Sequence, residues 1–270
     1  MKKIILCVNR LDKYLQCAWM GRKSQSSYKG IIADRVLGFV VQFIVLYYFW
    51  QAVYDNKTVI GSRTFSEMIM YTILSISISS LFIYPSIYFM SQDIKTGNVI
   101  YLLIKPINYQ LQFIFRHFGI FVFMCTLILP IFGVFALFTS NFVMPHNLIF
   151  FIISLLLGLL TMSTFNFILG AICFWTESCD GVSFLKVVII QLCSGALIPL
   201  DFFPNSLKRI VECLPFKGIV YTPISVFQYR YTVKEFFAQC MFQLAWIFVF
   251  TLCGRVLFNK AQKIVMINGG

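Results

Sequence analysis

The feature that most constrains this chain is a set of six apolar stretches, each close to the roughly 20 residues a helix needs to cross a hydrocarbon core and each nearly empty of charge. They run from Arg35 to Tyr54, from about Glu67 to Met90, from about Gln110 to Thr139, from after Pro145 to about Trp175, from Val182 to Leu200, and from about Lys234 to Phe258. The segments between them hold nearly all the ionisable residues. A chain that is 59% hydrophobic and 12% charged, with mean hydropathy +0.83, has more apolar surface than a water-soluble domain of 270 residues could hide. The pattern predicts an all-α polytopic membrane protein, one transmembrane domain with an interfacial segment over 1–34, a six-helix bundle over 35–258 and a tail over 259–270. Pro130 in the third stretch predicts a kink, because proline lacks the amide donor and crowds the preceding turn.

Orientation follows from Lys and Arg, which cytoplasmic loops retain. With the N-terminus inside, fifteen of the 22 basic residues fall on the cytoplasmic side: eight up to Arg35, then Lys95, Lys105, Arg116, Lys186, Arg255, Lys260 and Lys263. The remaining seven include Lys208, Arg209, Lys217 and Arg230 in one outer loop. Six spans return the C-terminus to the cytoplasm. The net charge of +12 thus reads as topology and contact with anionic membrane lipids, each basic group contributing about 1 kcal/mol near the surface, and calls for no nucleic-acid partner. Lys2 and Lys3 precede only a brief apolar run before Asn9, Arg10 and Asp12, which does not make a signal peptide. Leu11, Tyr14, Leu15, Ala18 and Trp19 recur at helical spacing, which fits a helix in the inner interface or one packed on the bundle.

Nine cysteines include no C-x-x-C pair and lie mostly in or beside spans, so neither a metal site nor a disulfide is expected. His117 and His146 have no carboxylate at a spacing that would form a dyad or metal face. No G-x-x-x-x-G-K-[ST] loop is present, so any nucleotide hydrolysis must come from another polypeptide. Within the spans runs a thin polar seam: Ser75 and Ser79 on the second helix, Ser163 and Asn166 on the fourth, Gln191, Ser194 and Gly195 on the fifth. Such groups glue helices together or line a path; most are read as glue, with Gly158 and Gly170 fitting close packing and Ser75, Ser79, Asn166, Gln191 and Ser194 as the candidates for lining. The spans are read as free of Asp, Glu, Lys and Arg, which argues against a proton- or sodium-coupled carrier. A channel would need charged rings or a filter loop, and an intramembrane enzyme a paired nucleophile.

Two connecting segments are too apolar for plain loops. Ser91 to Asn108 opens with Asp93, is interrupted by Gly97 and ends at Pro106; Ile100, Leu102, Leu103 and Ile104 beside Lys95 and Lys105 suit a short helix docking on a partner at the inner face. From Ser194 to Phe227, Pro199, Pro204, Pro215 and Pro223 break a hydrophobic run, which suggests short helices dipping back into the outer leaflet where protein buries the irregular backbone.

At these segments the chain resembles the permease subunits of type-2 ATP-binding-cassette (ABC) transporters, in their compact bacterial branch. The matching stretches are DIKTGNVIYLLIKPIN at 93–108, FNFILGAICFWTE at 165–177, SGALIPLDFFPNSLKRIVECLPF at 194–216, and the closing Asn268-Gly269-Gly270. The resemblance implies a cytoplasmic coupling helix between spans two and three, with Asp93, Ile94, Lys95, Thr96, Gly97, Asn98, Leu102 and Leu103 contacting the ATPase. It implies an extracellular re-entrant hairpin between spans five and six, with Pro199, Phe202, Phe203 and Pro204 as an outer gate. It further implies two ATPase subunits carrying ATP and Mg, no cofactor on this chain, a second identical or homologous permease, and export across the bacterial cytoplasmic membrane. Glu177 and Asp180 form an acidic inner loop that fits a second ATPase contact or a solvated turn. The aromatic share of 18% favours amphiphilic or hydrophobic cargo such as a peptide, drug or lipid-like molecule. An ATP-independent secondary transporter or channel is the alternative.

Overall fold

The computed structural model describes residues 2–26, 29–55, 57–60, 63–82, 87–104, 107–137, 147–176, 179–228 and 230–268. Helix dominates: α1 (Lys2–Ser26), α2 (Lys29–Tyr54), a two-residue hairpin of β1 (Val59–Ile60) and β2 (Arg63–Thr64), α3 (Phe65–Phe82), α4 (Ile87–Lys95), α5 (Asn98–Ile104), α6 (Tyr109–Leu137), α7 (Leu148–Thr176), α8 (Asp180–Cys193), α9 (Asn205–Cys213), α10 (Tyr221–Phe227) and α11 (Val233–Asn268). Single 3-10 turns at Leu200–Phe202 and Pro215–Gly218 flank α9. The strands pair antiparallel, Val59 opposite Thr64 and Ile60 opposite Arg63.

Among the described residues five helical segments are long and apolar enough to cross a membrane: Val36–Tyr54, Phe65–Lys95, Tyr109–Phe135, Leu148–Thr176 and Val233–Gln262. The expected fifth span, Val182 to Leu200, is instead the 14-residue α8, about 21 Å long at 1.5 Å per residue and shorter than a hydrocarbon core. It stops because Gly195 turns left-handed at φ +78, and the carbonyls freed there are taken by α3: Tyr71 donates to Gly195 O at 2.5 Å and Ser75 to Ala196 O at 2.6 Å. The final helix runs ten residues beyond the expected end at Phe258, to Asn268, since 259–268 contains neither glycine nor proline. Helix α6 continues through Pro130, which leaves the carbonyl of Thr126 without its usual helical donor.

α3 is the central post, with Met68 to Ser79 buried without interruption. Its Tyr71 and Phe82 share a core with Met124 of α6, Met162 of α7, Ile190 of α8 and Ile219 just after the second 3-10 turn. In contrast α2 and α11 present apolar side chains such as Leu37, Tyr48, Phe237 and Phe248 outward, the arrangement expected of helices solvated by lipid. α1 lies along α6. A Cβ at Gly119 would stand 1.8 Å from Ala18 O, and one at Gly21 2.2 Å from Arg116 O, so the helices meet backbone to backbone through small residues. Tyr14 stacks on Phe115 at 5.3 Å, while Leu15 and Trp19 of the same amphipathic pattern face outward.

Two further expectations are corrected. Cys173 and Cys179 are disulfide-bonded, because Cys179, at the start of α8, stands with its Cα 5.5 Å from that of Cys173 in the last turn of α7; a six-residue separation carries no C-x-x-C signature. Lys186 is not at an inner loop but two turns inside α8, 1% exposed, so a buried lysine does occur within the helical bundle. His146, Pro145, Glu177, Lys105, Pro106, Gly269 and Gly270 lie outside the described residues.

Candidate functional site

The first candidate region is the turn between α4 and α5. Thr96 N and Oγ1 both donate to Gln92 O, Gly97 N donates to Ile94 O, and Gly97 takes φ +70, so α4 ends in a glycine cap and α5 starts in a new direction. The expected single coupling helix over Asp93 to Leu103 is therefore a helix end, a glycine and a second short helix. Lys95, Thr96 and Asn98 are exposed at the bend. Ile94 and Leu102 turn inward against the cluster of Met90, Val99, Phe113, Phe167 and Phe258, and Leu103 lies on α5. Tyr101, 70% exposed, was not singled out in the sequence; its signal was one aromatic in VIYLLI opposite the residues that pack inward.

Asp93 is held by the chain itself. Arg116 Nη1 of α6 stands 3.4 Å from Asp93 Oδ2, Tyr109 OH donates to the same oxygen at 3.5 Å, and the Arg116 guanidinium lies 3.9 Å from the Phe89 ring centre. These contacts tie α4 to α6, and α6 is in turn clamped to α1. Cys17 and Met20 of α1, Asp93, Asn98, Tyr101, Leu102, Gln112 and Arg116 line a pocket of about 300 Å³ beside the bend. Asp180 accepts from Tyr88 OH at 2.5 Å, which joins the start of α8 to α4.

The second region lies at the opposite end of α3. Pro199 is buried and opens the 3-10 turn Leu200–Phe202; Phe202 packs 5.7 Å from Trp50, Phe203 is half-buried and Pro204, exposed, leads into α9. Beside them is a polar lock that sequence reasoning missed. Arg63, fully buried, places Nη2 at 2.9 Å and Nε at 3.3 Å from Asp201 Oδ2, bonds Gln228 Oε1 through Nη1, and lies 4.7 Å from the Tyr71 ring centre. Asp201 Oδ1 accepts from Tyr221 OH at 2.7 Å, and Tyr54 OH donates to Arg63 O at 3.0 Å. Gln228 Nε2 reaches Glu67 O at 3.0 Å and Arg230 lies 3.7 Å from Glu67. Burial pushes the Asp201 carboxyl up, but the Tyr221 hydrogen bond and the Arg63 guanidinium outweigh it and hold its pKa below the usual value. Burial first, and then the same carboxylate, raise the pKa of the Tyr221 hydroxyl. The available signal was a lone carboxylate in LIPLDFFP, which in so apolar a stretch must find a cation.

Of the polar seam, Ser75 spends its hydroxyl on Ala196 O and Gln191 is half-buried, while Ser79, Asn166 and Ser194 are buried with side-chain atoms that have no partner among the described residues. The described residues contain no group of three or more His, Cys, Asp or Glu side chains that could hold a metal.

Residues 39–268 match the family of ABC-2 family transporter proteins. Comparison with curated proteins gives no match. The chain belongs to the ABC-2 transporter family as a permease subunit: a multi-pass, predominantly helical membrane protein of the kind that associates with an ABC ATPase and generally carries no catalysis of its own.

Proposed function

We propose that this chain is the membrane half of an ATP-driven exporter in the bacterial cytoplasmic membrane, working with two ATPase subunits that hold ATP and Mg and with a second identical or related permease. In this reading α8 is a short sixth membrane helix, and residues 194–227 are a re-entrant cap over the outer end of the pathway. N- and C-termini are cytoplasmic, and the α4–α5 bend faces the ATPase. Cargo is amphiphilic or hydrophobic.

The observation that carries the reading is the bend itself: an outward face of Lys95, Thr96, Asn98 and Tyr101, backed by an ion pair from Asp93 to α6. A push on that face reaches α6 through Asp93 and Arg116, and α1 moves with α6 because their backbones touch. Work is done only insofar as the ATPase contacts the two states differently. At the far end the Arg63–Asp201 lock ties the cap to β2, the Tyr71 and Ser75 hydroxyls tie it to α3, and the Phe202–Trp50 contact ties it to α2.

The test is copurification of the tagged full chain with an ATPase and ATP-dependent export by the reconstituted pair. Asp93→Lys should insert normally yet lose stimulation of ATPase activity, and Phe202→Ala with Phe203→Ala should make transport leaky or slow. A chain that copurifies with no ATPase and conducts ions alone would be a channel.

A further inference from the structure

The Cys173–Cys179 bond sits where a disulfide is least expected. In the orientation proposed above α7 descends to the inner face and α8 starts there, so both cysteines stand on the cytoplasmic side, where thiol reductants keep most cysteines apart. A cytoplasmic disulfide that does form is characteristically transient, catalytic or redox-sensing rather than structural. Support of the fold is a weak account of this one. The bond spans a sequence separation of six, and so short a loop constrains the unfolded chain less than a long one.

Its surroundings tie it to the bend. Cys173, Cys179 and Ile87, the first residue of α4, form one buried cluster, on which Ile94 from the far end of α4 also packs. α4 lies tight against α7 there: a Cβ at Gly170, one turn before Cys173, would stand 2.8 Å from Met90 Sδ. On the other flank Asp180, next to Cys179, accepts from Tyr88 OH of α4. The start of α8 is therefore held to α7 by the S–S bond and to α4 by a hydrogen bond, while its next turn carries Phe184 and Leu185 outward, 70% and 61% exposed. At its other end α8 runs into Gly195 and Ala196, whose carbonyls α3 holds. Opening the S–S bond releases the inner end of α8 and leaves the outer end fixed.

We propose that Cys173 and Cys179 are a reversible dithiol–disulfide pair, exchanged by small-molecule thiols of the cytoplasm, whose oxidised form locks α7 and α8 to α4 and so slows coupling at the bend. The cytoplasmic placement and the slowing rest on the exporter reading above; the exchange chemistry does not. Both side chains are buried, so exchange follows lifting of the start of α8 from α7. A thiolate such as that of glutathione attacks one sulfur, the S–S bond breaks, and a mixed disulfide forms as the other cysteine leaves as a thiolate. A second thiol resolves the mixed disulfide, so two small thiols are oxidised to one disulfide and their two protons end on the Cys173 and Cys179 thiols. With the bond closed, a push on the bend meets α4, α7 and α8 as one block. With it open, α4 moves and the start of α8 follows through Tyr88 and Asp180.

The test begins with redox titration of the full chain in nanodiscs, with no ATPase present, across ratios of reduced to oxidised glutathione, iodoacetamide trapping the free thiols for mass spectrometry. Cys173 and Cys179 should gain and lose label together and reversibly, and hydrogen exchange at the start of α8 should quicken in the reduced form. A bond that glutathione never reduces, or that never re-forms, overturns the proposal and leaves the exporter reading standing. In inside-out membrane vesicles the impermeant phosphine TCEP should open the bond, and in right-side-out vesicles it should not; the reverse pattern overturns the cytoplasmic placement of the pair and the orientation with it. With the ATPase restored, oxidation should lower ATP-dependent transport by wild type about fivefold or more, the scale of a modest allosteric coupling. Cys173→Ser with Cys179→Ser should transport like reduced wild type and ignore the oxidant, and Cys173→Ala with Cys179→Ala serves as the second variant if the serines fold poorly. Equal transport by oxidised and reduced wild type overturns the switch. A chain that copurifies with no ATPase ends the exporter reading while the glutathione titration still decides the pair.

Discussion

Asp201→Asn offers the sharpest test of the lock that closes one end of the molecule. The substitution keeps shape and removes charge, and it leaves the Arg63 guanidinium at 0% exposure facing a neutral amide. Breaking a buried pair from one side costs about 3–5 kcal/mol; because the Asp201 side chain is 19% exposed, the lower end, about 3 kcal/mol, applies. Arg63→Met exposes a smaller cost, since Asp201 retains Tyr221 at 2.7 Å and Lys208 at 4.0 Å. The double variant carries no orphaned charge and should cost less than the two singles together, with a coupling of about 2 kcal/mol. Unfolding in dodecylmaltoside micelles with increasing dodecyl sulfate measures all four proteins. Trp50 is the natural reporter because Phe202, next to Asp201, packs 5.7 Å from it. Costs that add to within about 0.5 kcal/mol would show that Arg63 and Asp201 do not act as a pair.

Because the folded-state pKa of Asp201 is lowered, its contribution is present above the unfolded value near 3.9 and is lost as pH falls through the lower folded value; acid titration should loosen wild type below about pH 4 and leave Asp201→Asn without that limb. Gly97→Ala places a side chain in open space at φ +70, costing about 1–2 kcal/mol in chemical unfolding, whereas Gly97→Pro, whose ring fixes φ near −65°, should abolish ATPase stimulation while the protein still inserts. Normal coupled export by Gly97→Pro would remove the bend from the coupling path. Gly119→Val drives a side chain into the Ala18 carbonyl and should free α1, seen as faster proteolysis within 2–26; unchanged protection would refute the clamp.

Much of this architecture is written in hydropathy. Five of six predicted spans recur as apolar helices because a run such as LGFVVQFIVLYYFW has no stable alternative to helix in lipid. The fifth was overdrawn: SGALIPL is as apolar as the helix before it, and what ends α8 is a left-handed glycine plus two hydroxyls from α3, partners more than a hundred residues away. Asp93, Gly97 and the proline-rich 194–227 segment were visible because charge, glycine and proline punctuate an otherwise uniform chain. Arg63 and Lys186 were not, because a basic residue at a span edge looks the same in sequence whether it faces water or folds inward. The Cys173–Cys179 bond was hidden likewise, since periodicity does not encode how tightly two helices turn on one another.

The backbone contact between α1 and α6 has a mechanical corollary. With no side chains between Ala18 and Gly119 to act as bearings, neither helix can roll or slide on the other without collision, so the amino-terminal 25-residue rod and the third span form a single lever arm. Leu15, Trp19 and Met20 ride on the outer surface of that lever like a keel. Any tilt of the third span therefore carries an aromatic-tipped blade with it, and whatever surrounds that blade resists the tilt.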